Sequence, residues 1–218
     1  MGLALAPRRG RPKLAPMTAV DHDERRRRIA EVCVDVVGRE GLEAATIRRI
    51  AAEVGYSTTI VTHYFADKQE LLLWAYRALA EEAEGHFQQV IARDPADLVG
   101  ALLAMTAADE VGVRRWRAYV AFWDRASRDR VFAAEQLRRI EGALARIAQV
   151  VRARNGGRTD VERVARLLNA LVQGISVQAL VDRESWSFEQ IREALAHEVE
   201  NVLGPPARRQ GADPDPAR

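Results

Sequence analysis

Two short helical segments separated by Gly55 constrain the fold of this chain more than any other feature. Thr46 is placed to cap the first segment, whose apolar residues recur at helical spacing as far as Val54. Ser57 is placed to cap the second segment, which ends near Tyr64. Two short helices joined by a tight glycine turn predict a helix-turn-helix, in which the first helix supports the second.

The rest of the chain also shows helical periodicity, and no segment alternates in the way that a strand does. The first helix has Cys33 on its apolar face and stops at Gly41. The later helices are expected as follows: a fourth from Asp67 to about Arg93, a fifth from Asp94-Pro95, a sixth with Val113 and Trp123, a seventh from about Ser127 to Arg154, an eighth from Thr159 with Glu162 to about Asp182, and a ninth from Ser187 with Gln190. The pattern predicts an all-α protein of about nine helices.

Positive charge is concentrated at the N-terminal end. The 218 residues carry a net charge of +2, and residues 1–68 hold 12 Lys and Arg against 9 Asp and Glu. The first 20 residues contain no acidic residue and four basic ones, Arg8, Arg9, Arg11 and Lys13. Such an arm either follows the minor groove of DNA or is a disordered basic tail, and it is absent if translation starts at Met17.

Several classes of protein are excluded by what the sequence lacks. No apolar run approaches about 18 residues and no secretory signal pattern is present, so a cytoplasmic protein without a membrane partner is expected. Nucleotide-binding and serine-hydrolase motifs are absent and the four histidines are scattered, so we expect no enzyme, no catalytic residue, no metal and no cofactor. The single cysteine, Cys33, is expected to be a buried core thiol.

The second short helix has the composition of an element that reads DNA. Hydroxyls on short side chains reach base edges or phosphates without bulk, and a threonine methyl suits the methyl of thymine. The segment from Ser57 to Phe65 contains no acidic residue, which fits a surface that faces phosphate. Tyr64 and Lys68 follow where the chain passes the DNA backbone. The candidate DNA contacts are Arg8, Arg11, Thr46, Arg48, Ser57, Thr58, Thr59, Thr62, His63, Tyr64 and Lys68.

The segment TIRRIAAEVGYSTTIVTHYFADKQELLLWAY (46–76) resembles the N-terminal domain of the TetR family of bacterial transcriptional regulators. Within the family, STTIVTHYF is closest to the branch that includes the betaine-pathway repressor BetI, with Thr59 where that branch favours glycine. The segment LLNALVQGISVQALVDRESWSFEQIREAL (167–195) is similar to the last two helices of that branch. The resemblance implies nine helices, a dimer formed by the last two, and a small-molecule cavity among the middle ones.

The resemblance also predicts the domain organisation and the function. The chain is expected to consist of a flexible basic arm (1–22), a helix-turn-helix DNA-binding domain (23–68), a helical effector-binding and dimerisation domain (69–204) and a disordered tail (205–218). The expected function is that of a repressor that binds double-stranded operator DNA as a homodimer and is released by a small-molecule effector. One alternative is a DNA-binding regulator without an effector, which would lack a cavity. The other is a helical adaptor or enzyme that kept the fold, which would bind no specific DNA.

The effector site is expected on the middle helices. Four of the 13 aromatic residues fall within eight positions on the sixth helix, a stripe that forms either core packing or one wall of a ligand cavity. An aromatic cage for a quaternary ammonium ion is physically sensible, although the sequence does not select an effector. The candidate effector contacts are Met105, Trp116, Tyr119, Phe122, Trp123, Asn169 and Gln173.

The dimer contact is expected on the last two helices. The candidate residues are Ala170, Gly174, Val177 and Val181 on the eighth helix, with Ile191 and Leu195 on the ninth. A glycine inside a helix costs about 1 kcal/mol relative to alanine. Gly174 therefore either permits the close approach of a partner helix or fits a crowded monomer core.

Overall fold

The computed structural model describes residues 19–155 and 160–204, which form nine α-helices and no strand. In chain order the helices are α1 (Ala19–Glu40), α2 (Ile47–Val54), α3 (Thr58–Tyr64), α4 (Lys68–Arg93), α5 (Leu98–Leu103), α6 (Glu110–Ala126), α7 (Arg130–Asn155), α8 (Val161–Ala179) and α9 (Phe188–Leu203). The prediction of an all-α protein is confirmed. None of these nine helices is long and apolar enough to cross a lipid bilayer.

Local hydrogen bonds set the boundaries of α2 and α3 where the sequence places them. Thr46 Oγ1 accepts the backbone N–H of Arg49 at 3.1 Å. Ser57 Oγ accepts the backbone N–H of Ile60 at 3.3 Å. Gly55 ends α2 with a φ of 76°, a left-handed conformation that favours glycine because it has no Cβ. The two short helices and their glycine turn form the predicted helix-turn-helix.

The start of α4 is fixed by a variant of the capping box. Asp67 Oδ1 accepts the backbone N–H of Glu70 at 2.8 Å. The side chain of Glu70 reaches back to the N–H of Ala66, one residue before the cap, at 2.8 Å. Glu70 also accepts from Arg26 of α1 at 2.7 Å, so the first turn of α4 is tied to α1.

The predicted start of the fifth helix at Asp94-Pro95 is wrong. Asp94 ends α4, and its side chain and carbonyl accept the N–H groups of Ala96 and Asp97, each at 3.0 Å, in a turn. Asp97 is the cap of α5, and its carboxylate accepts the N–H of Gly100 at 2.7 Å. An Asp-Pro pair is as compatible with a turn as with a helix start, and here the next aspartate caps the helix instead.

Three other predicted boundaries shift. Ser127 closes α6 through its N–H to the Trp123 carbonyl at 3.0 Å, so α7 begins at Arg130. The cap of α8 is Asp160, whose carboxylate accepts the N–H of Arg163 at 3.0 Å; the predicted cap, Thr159, lies outside the described residues. The α-helical part of α8 ends at Ala179, before the predicted Asp182. The capping box at the start of α9 is confirmed in both of its hydrogen bonds.

The described helices bury two apolar clusters. We call residues 19–68 the head and residues 69–204 the body. The head core is built from α1 to α3 and α4, and it also takes three aromatic residues from the body: Tyr76, Phe122 and Phe132. The body core is built mainly from α5 to α9, with Phe87 from α4. Because α4, α6 and α7 supply residues to both cores, these three helices join the head to the body.

Cys33 lies fully buried in the head core, as predicted for a structural thiol. Burial raises the pKa of its thiol to about 12, although the charge of Lys68 opposes the shift. The thiol is therefore protonated near neutral pH, and only a thiolate reacts readily.

The predicted N-terminal arm and C-terminal tail fall largely outside the described residues. Positions 1–18 include Arg8 and Arg11, and positions 205–218 make up the predicted tail. The arm, the tail and the predicted domain boundary after residue 68 stay predictions.

Candidate nucleic-acid interface and ligand pocket

The outer face of α3 presents hydroxyl groups. Ser57, Thr58, Thr59, Thr62 and His63 are all exposed, while Val61 on the opposite side is fully buried in the head core. The helix is only seven residues long, and the Ser57 cap and the packing of Val61 hold it in place. A short, fixed helix with an exposed polar face is what a reading helix needs to enter the major groove.

The hydroxyls of this face are not equivalent. Thr62 Oγ1 donates to the backbone carbonyls of Thr58 and Thr59 at 3.1 and 3.2 Å, so its proton is used inside the helix. The Thr59 hydroxyl makes no hydrogen bond with another described residue. Thr59 can therefore both donate to and accept from a base edge, whereas Thr62 offers its methyl and its oxygen lone pairs.

Two aromatic groups of the predicted interface pack against each other. Tyr64 is only 5% exposed, and its hydroxyl is buried without a hydrogen-bond partner among the described residues. Its ring lies 4.5 Å from that of His22 and 5.5 Å from that of His63. Tyr64 thus supports α3 from below in this structure, and its contact with phosphate stays a prediction.

Basic groups flank the hydroxyl face. Arg48 on α2 is exposed and forms no ion pair with another described residue. Lys68 Nζ lies 3.4 Å from the Glu43 carbonyl and 3.6 Å from its carboxylate, a side chain that is 98% exposed. Thr46 is occupied by capping α2. Arg48 and Lys68 are thus the groups best placed to bind phosphate, since an exposed ion pair such as Lys68 with Glu43 is weak.

The neighbouring Arg49 has a different role, which its position beside Arg48 in the sequence does not reveal. Arg49 donates to Glu40 and to Glu53, and Arg39 donates to Glu53 at 2.8 Å. Hydrogen bonds from Arg49 and then Arg39 hold the pKa of Glu53 below its ordinary value. These residues connect the end of α1 to α2 and so help to fix the support helix.

A cavity of about 300 Å³ lies in the body between α4, α6, α7 and α8. Six of the seven candidate effector residues line it: Met105, Trp116, Tyr119, Trp123, Asn169 and Gln173. Trp116 lies 5.3 Å from Tyr119 and 5.5 Å from Trp123 between ring centroids. The Trp116 indole donates to the Met105 carbonyl at 2.8 Å, which fixes one wall of the cavity.

Phe122 does not belong to this cavity, contrary to the prediction. It is fully buried in the head core, and its ring stacks on Tyr76 at 4.5 Å and on Phe132 at 6.2 Å. One step along a helix turns the side chain by about 100°. The neighbour of Trp123 therefore faces the head core while Trp123 faces the cavity.

The sequence interpretation missed the polar wall of the cavity. The residues that supply it are Glu84 from α4 and Glu135, Gln136, Arg138, Arg139 and Arg146 from α7. The residues Glu135, Arg139, Gly142 and Arg146 follow one another at steps of four, three and four, which is the spacing of a helix face. That stripe of small and charged residues beside the apolar face of α7 is the signal that could have found them.

Ion pairs with arginines hold the two carboxylates of this wall, Glu84 and Glu135. Glu84 pairs with Arg146 at 3.2 Å, and Glu135 pairs with Arg77 at 2.9 Å and with Arg138. Burial of Glu135 opposes its ionisation, but the hydrogen bonds from Arg138 and Arg77 outweigh burial and keep its pKa below the ordinary value. Both of these carboxylates are therefore occupied by arginines.

The candidate dimer residues divide into two groups. Ala170, Gly174 and Val177 are exposed on one side of α8, and Val181, in the turn after α8, is 90% exposed. Ile191 and Leu195 are fully buried in the body core, so they face the protein's own interior and not a partner.

Two further apolar side chains on the last two helices, which the sequence interpretation left out, are exposed. Leu167 of α8 is 46% exposed, and Phe188 of α9 is 47% exposed. A Cβ added at Gly174 would meet no atom within 4 Å. The crowded monomer core that could have explained Gly174 is therefore not present.

A capped helix-turn-helix with an exposed hydroxyl face, carried on a helical frame with a cavity between its helices, defines a DNA-binding transcriptional regulator. Two family models match the chain: the bacterial regulatory proteins of the TetR family over residues 29–74, and the C-terminal domain of the BetI-type transcriptional repressors over residues 95–204. The chain belongs to the TetR family, with a C-terminal domain of the BetI type, and it is not an enzyme.

Individual proteins agree with this assignment. The transcriptional regulator PksA of Bacillus subtilis is 29% identical over 196 residues, which cover 84% of this chain and 92% of PksA. A solved transcriptional regulator from Rhodococcus sp. Rha1 is 27% identical, with a TM-score of 0.73 over 82% of this chain and 95% of that one. The multidrug binding protein EbrR, solved with imidazole, is 28% identical, with a TM-score of 0.58 over 85% of this chain and 98% of that one.

Proposed function

We propose that this regulator is a cytoplasmic repressor that binds its operator as a homodimer and is released when a small molecule enters the cavity of the body. The observation that carries the proposal is that α4 and α6 each contact both the head and the cavity. A ligand in the cavity therefore lies against the two helices that position the reading helix.

The first connection runs along α4. Its first turn is held to the head by Glu70, which binds Arg26 at 2.7 Å, and by Lys68, which lies beside Glu43. Further along the same helix, Ala83, Glu84 and Phe87 line the cavity. A helix is a stiff element, so a displacement at the cavity also moves the first turn of α4.

The second connection runs across α6. Trp116, Tyr119 and Trp123 face the cavity, while Phe122 packs in the head core. On the head side, a Cβ at Gly38 of α1 would lie 3.1 Å from the Arg114 carbonyl, so the backbones of α1 and α6 are in close contact. A shift of α6 caused by a ligand is transmitted directly to α1.

The proposed dimer uses the exposed ridge of α8 with the exposed Phe188 of α9. One reading helix contacts too few base pairs to select a site in a genome, so two copies related by a two-fold axis are needed. Gly174 has open space around it, although a glycine in a helix interior costs about 1 kcal/mol. Close approach of a second copy explains why the ridge contains a glycine.

The proposed DNA contacts follow from exposure and hydrogen bonding. Thr58, Thr59 and Thr62 are assigned to base edges, and the hydroxyls of Thr58 and Thr59 are free to donate. Arg48 and Lys68 are assigned to phosphates, which fix the position of α3 but carry no sequence information.

A cavity of about 300 Å³ favours this proposal over a regulator without an effector, since that alternative predicts no cavity. Stabilising the state that does not fit the operator by about 1–3 kcal/mol lowers DNA affinity by about 5- to 150-fold. Such a change is enough for regulation.

The proposal is tested with an operator selected from a random DNA library and with ligands found by quenching of tryptophan emission. Two of the four tryptophans, Trp116 and Trp123, line the cavity. A ligand that quenches saturably should lower operator affinity, and Trp123→Leu should weaken ligand binding with little change in operator affinity.

The matched control is Trp186→Leu, because Trp186 does not line the cavity. A ligand that releases the operator equally well from the parent and from the Trp116→Leu/Trp123→Leu variant contradicts the assignment of the site. Failure to select any specific DNA favours the helical adaptor instead.

A further inference from the structure

The charges around the cavity do not balance. Glu84 is occupied by Arg146, and Glu135 by Arg77 and Arg138. Arg139 also lines the cavity, and it forms no ion pair with any carboxylate in the described part of the chain. The wall therefore carries more positive than negative charge.

The surroundings of Arg139 hold its guanidinium in place without neutralising it. It lies 4.2 Å from the ring centroid of Tyr76 and 4.7 Å from that of Tyr119. It donates to the Tyr119 hydroxyl at 2.7 Å and to the Tyr76 carbonyl. These neutral partners stabilise a cation, but a guanidinium has five N–H donors, and two acceptors leave capacity for a ligand.

A second unused donor lies on the same helix. Arg146 Nε is buried and has no hydrogen-bond acceptor among the described residues, although another nitrogen of the same guanidinium binds Glu84. A buried donor without an acceptor is destabilising. Both arginines line the cavity, so both add positive charge to its wall.

The rest of the wall is apolar and aromatic, with Phe87, Trp116, Trp123, Ile140 and Val172 among its residues. We infer that the effector is an anion with an apolar body, of the class of small aromatic or aliphatic carboxylates, whose charged end lies at Arg139. The inference rests on the proposed ligand-responsive function and names the chemical class of the effector. A carboxylate matches the planar, two-pronged geometry of a guanidinium.

The same contacts disfavour the aromatic cage for a quaternary ammonium ion. Arg139 already lies over the rings of Tyr76 and Tyr119, so a second cation at Tyr119 would be repelled.

The test compares three probes of similar size and different charge: phenylacetate, phenethyl alcohol and benzyltrimethylammonium. Binding to the full-length protein is measured by calorimetry and by tryptophan emission at constant ionic strength, with hexanoate as an aliphatic anion. The anions should bind more tightly than the neutral alcohol and the cation. Arg139→Gln should weaken the anions by at least about tenfold and leave phenethyl alcohol nearly unchanged.

Arg152→Gln is the matched control, because Arg152 is on the same helix, pairs with Glu162 and lies outside the cavity. Arg139→Lys keeps the positive charge but not the planar, two-pronged guanidinium, and it should bind the anions with intermediate affinity. The charge preference of the unmodified protein tests the inference even if Arg139→Gln does not fold, which thermal unfolding followed by circular dichroism will show.

The inference is overturned if the cation binds at least as tightly as the anions, if no carboxylate binds, or if Arg139→Gln folds and binds the anions like the parent. The operator assay separates it from the proposed function. If the anions bind through Arg139 but operator affinity does not fall, the inference stands and the proposed release of the operator by a ligand is wrong. Release of the operator by benzyltrimethylammonium, with no release by the anions, leaves the proposed function intact and overturns the inference.

Discussion

The polar groups of the head's candidate site lie on the outer surface of the protein, whereas those of the body's candidate site line a cavity. In the head, the hydroxyls of Thr58 and Thr59 face solvent, and the apolar side of α3 is buried beneath them. In the body, Glu135, Arg139 and Asn169 line a cavity between the helices that is partly open to solvent.

This difference decides how each region can be altered. An exposed hydroxyl that reads DNA can be exchanged at little cost to folding, because its neighbours are solvent and its own helix. A cavity residue takes part in packing and ion pairs as well as in ligand binding, so its replacement affects stability and affinity together.

The largest effect is expected from a body residue that makes no proposed contact with DNA. Gly174→Leu should abolish dimers and lower operator affinity by about 10²- to 10⁴-fold, because two linked reading heads gain that much over one. The folded monomer should not be destabilised, since a Cβ at this position meets no atom within 4 Å. Sedimentation and operator titration measure both effects.

Gly85→Leu is the control for Gly174→Leu. Gly85 is also a glycine inside a helix with open space around its Cβ position, but it lies on α4, away from the α8 ridge. Gly85→Leu should sediment as the parent does. A Gly174→Leu protein that remains dimeric would place the dimer contact elsewhere.

The next largest effect tests whether α6, a helix of the body, contributes a side chain to the head core. Phe122→Ala removes a buried ring of the head core from α6, a body helix, and should lower the free energy of unfolding by about 3–5 kcal/mol. Val120→Ala on the same helix, at a side chain that is 37% exposed, should change it by less than about 1 kcal/mol. Urea unfolding followed by circular dichroism compares the two, and equal losses would show that Phe122 is not a core residue.

A smaller effect is confined to the head. Thr59→Val removes the free hydroxyl and keeps the shape, and it should cost about 1–3 kcal/mol at one base pair of the operator. Thr59→Ser keeps the hydroxyl and should retain that preference. Thr62→Val should lose less binding free energy, because the Thr62 hydroxyl already donates its proton to carbonyls inside α3. Binding to a set of operators with single base changes provides the measurement, and equal losses for the two valine variants would count against this assignment.

The smallest effect concerns the junction of the two regions. Lys68→Gln should weaken binding to all DNA sequences alike and lower the slope of log affinity against log salt by about 1. Arg152→Gln in the body should leave the slope unchanged. If Lys68→Gln changes base preference and leaves the slope as it was, Lys68 does not bind phosphate.

The head was predictable because its boundaries are set by neighbours in sequence. Thr46, Ser57 and Gly55 act within four residues of their own positions, so their roles are visible in the chain. Asp94 shows the limit of such signals, because a turn and a helix start use the same Asp-Pro pair.

The body was less predictable because helical periodicity tells which side of a helix is apolar but not what that side meets. Ile191 and Leu195 lie on an apolar face like that of Val177, yet they pack in the core while Val177 is 38% exposed. Phe122 and Trp123 are adjacent aromatic residues, yet Phe122 is buried in the head core alone while Trp123 packs against both cores and lines the cavity. Only the packing of distant helices separates these cases.

The two faces of α6 have a consequence for the design of biosensors. Trp116, Tyr119 and Trp123 line the cavity, whereas Phe122 and Ala118 are buried in the head core, against which Tyr119 and Trp123 also pack. A mutant library restricted to Trp116, which packs in the body core, would change which compound the protein reports while preserving the promoter that it controls. Randomising the whole helix would mix the two properties, and most of its members would be lost as unfolded protein.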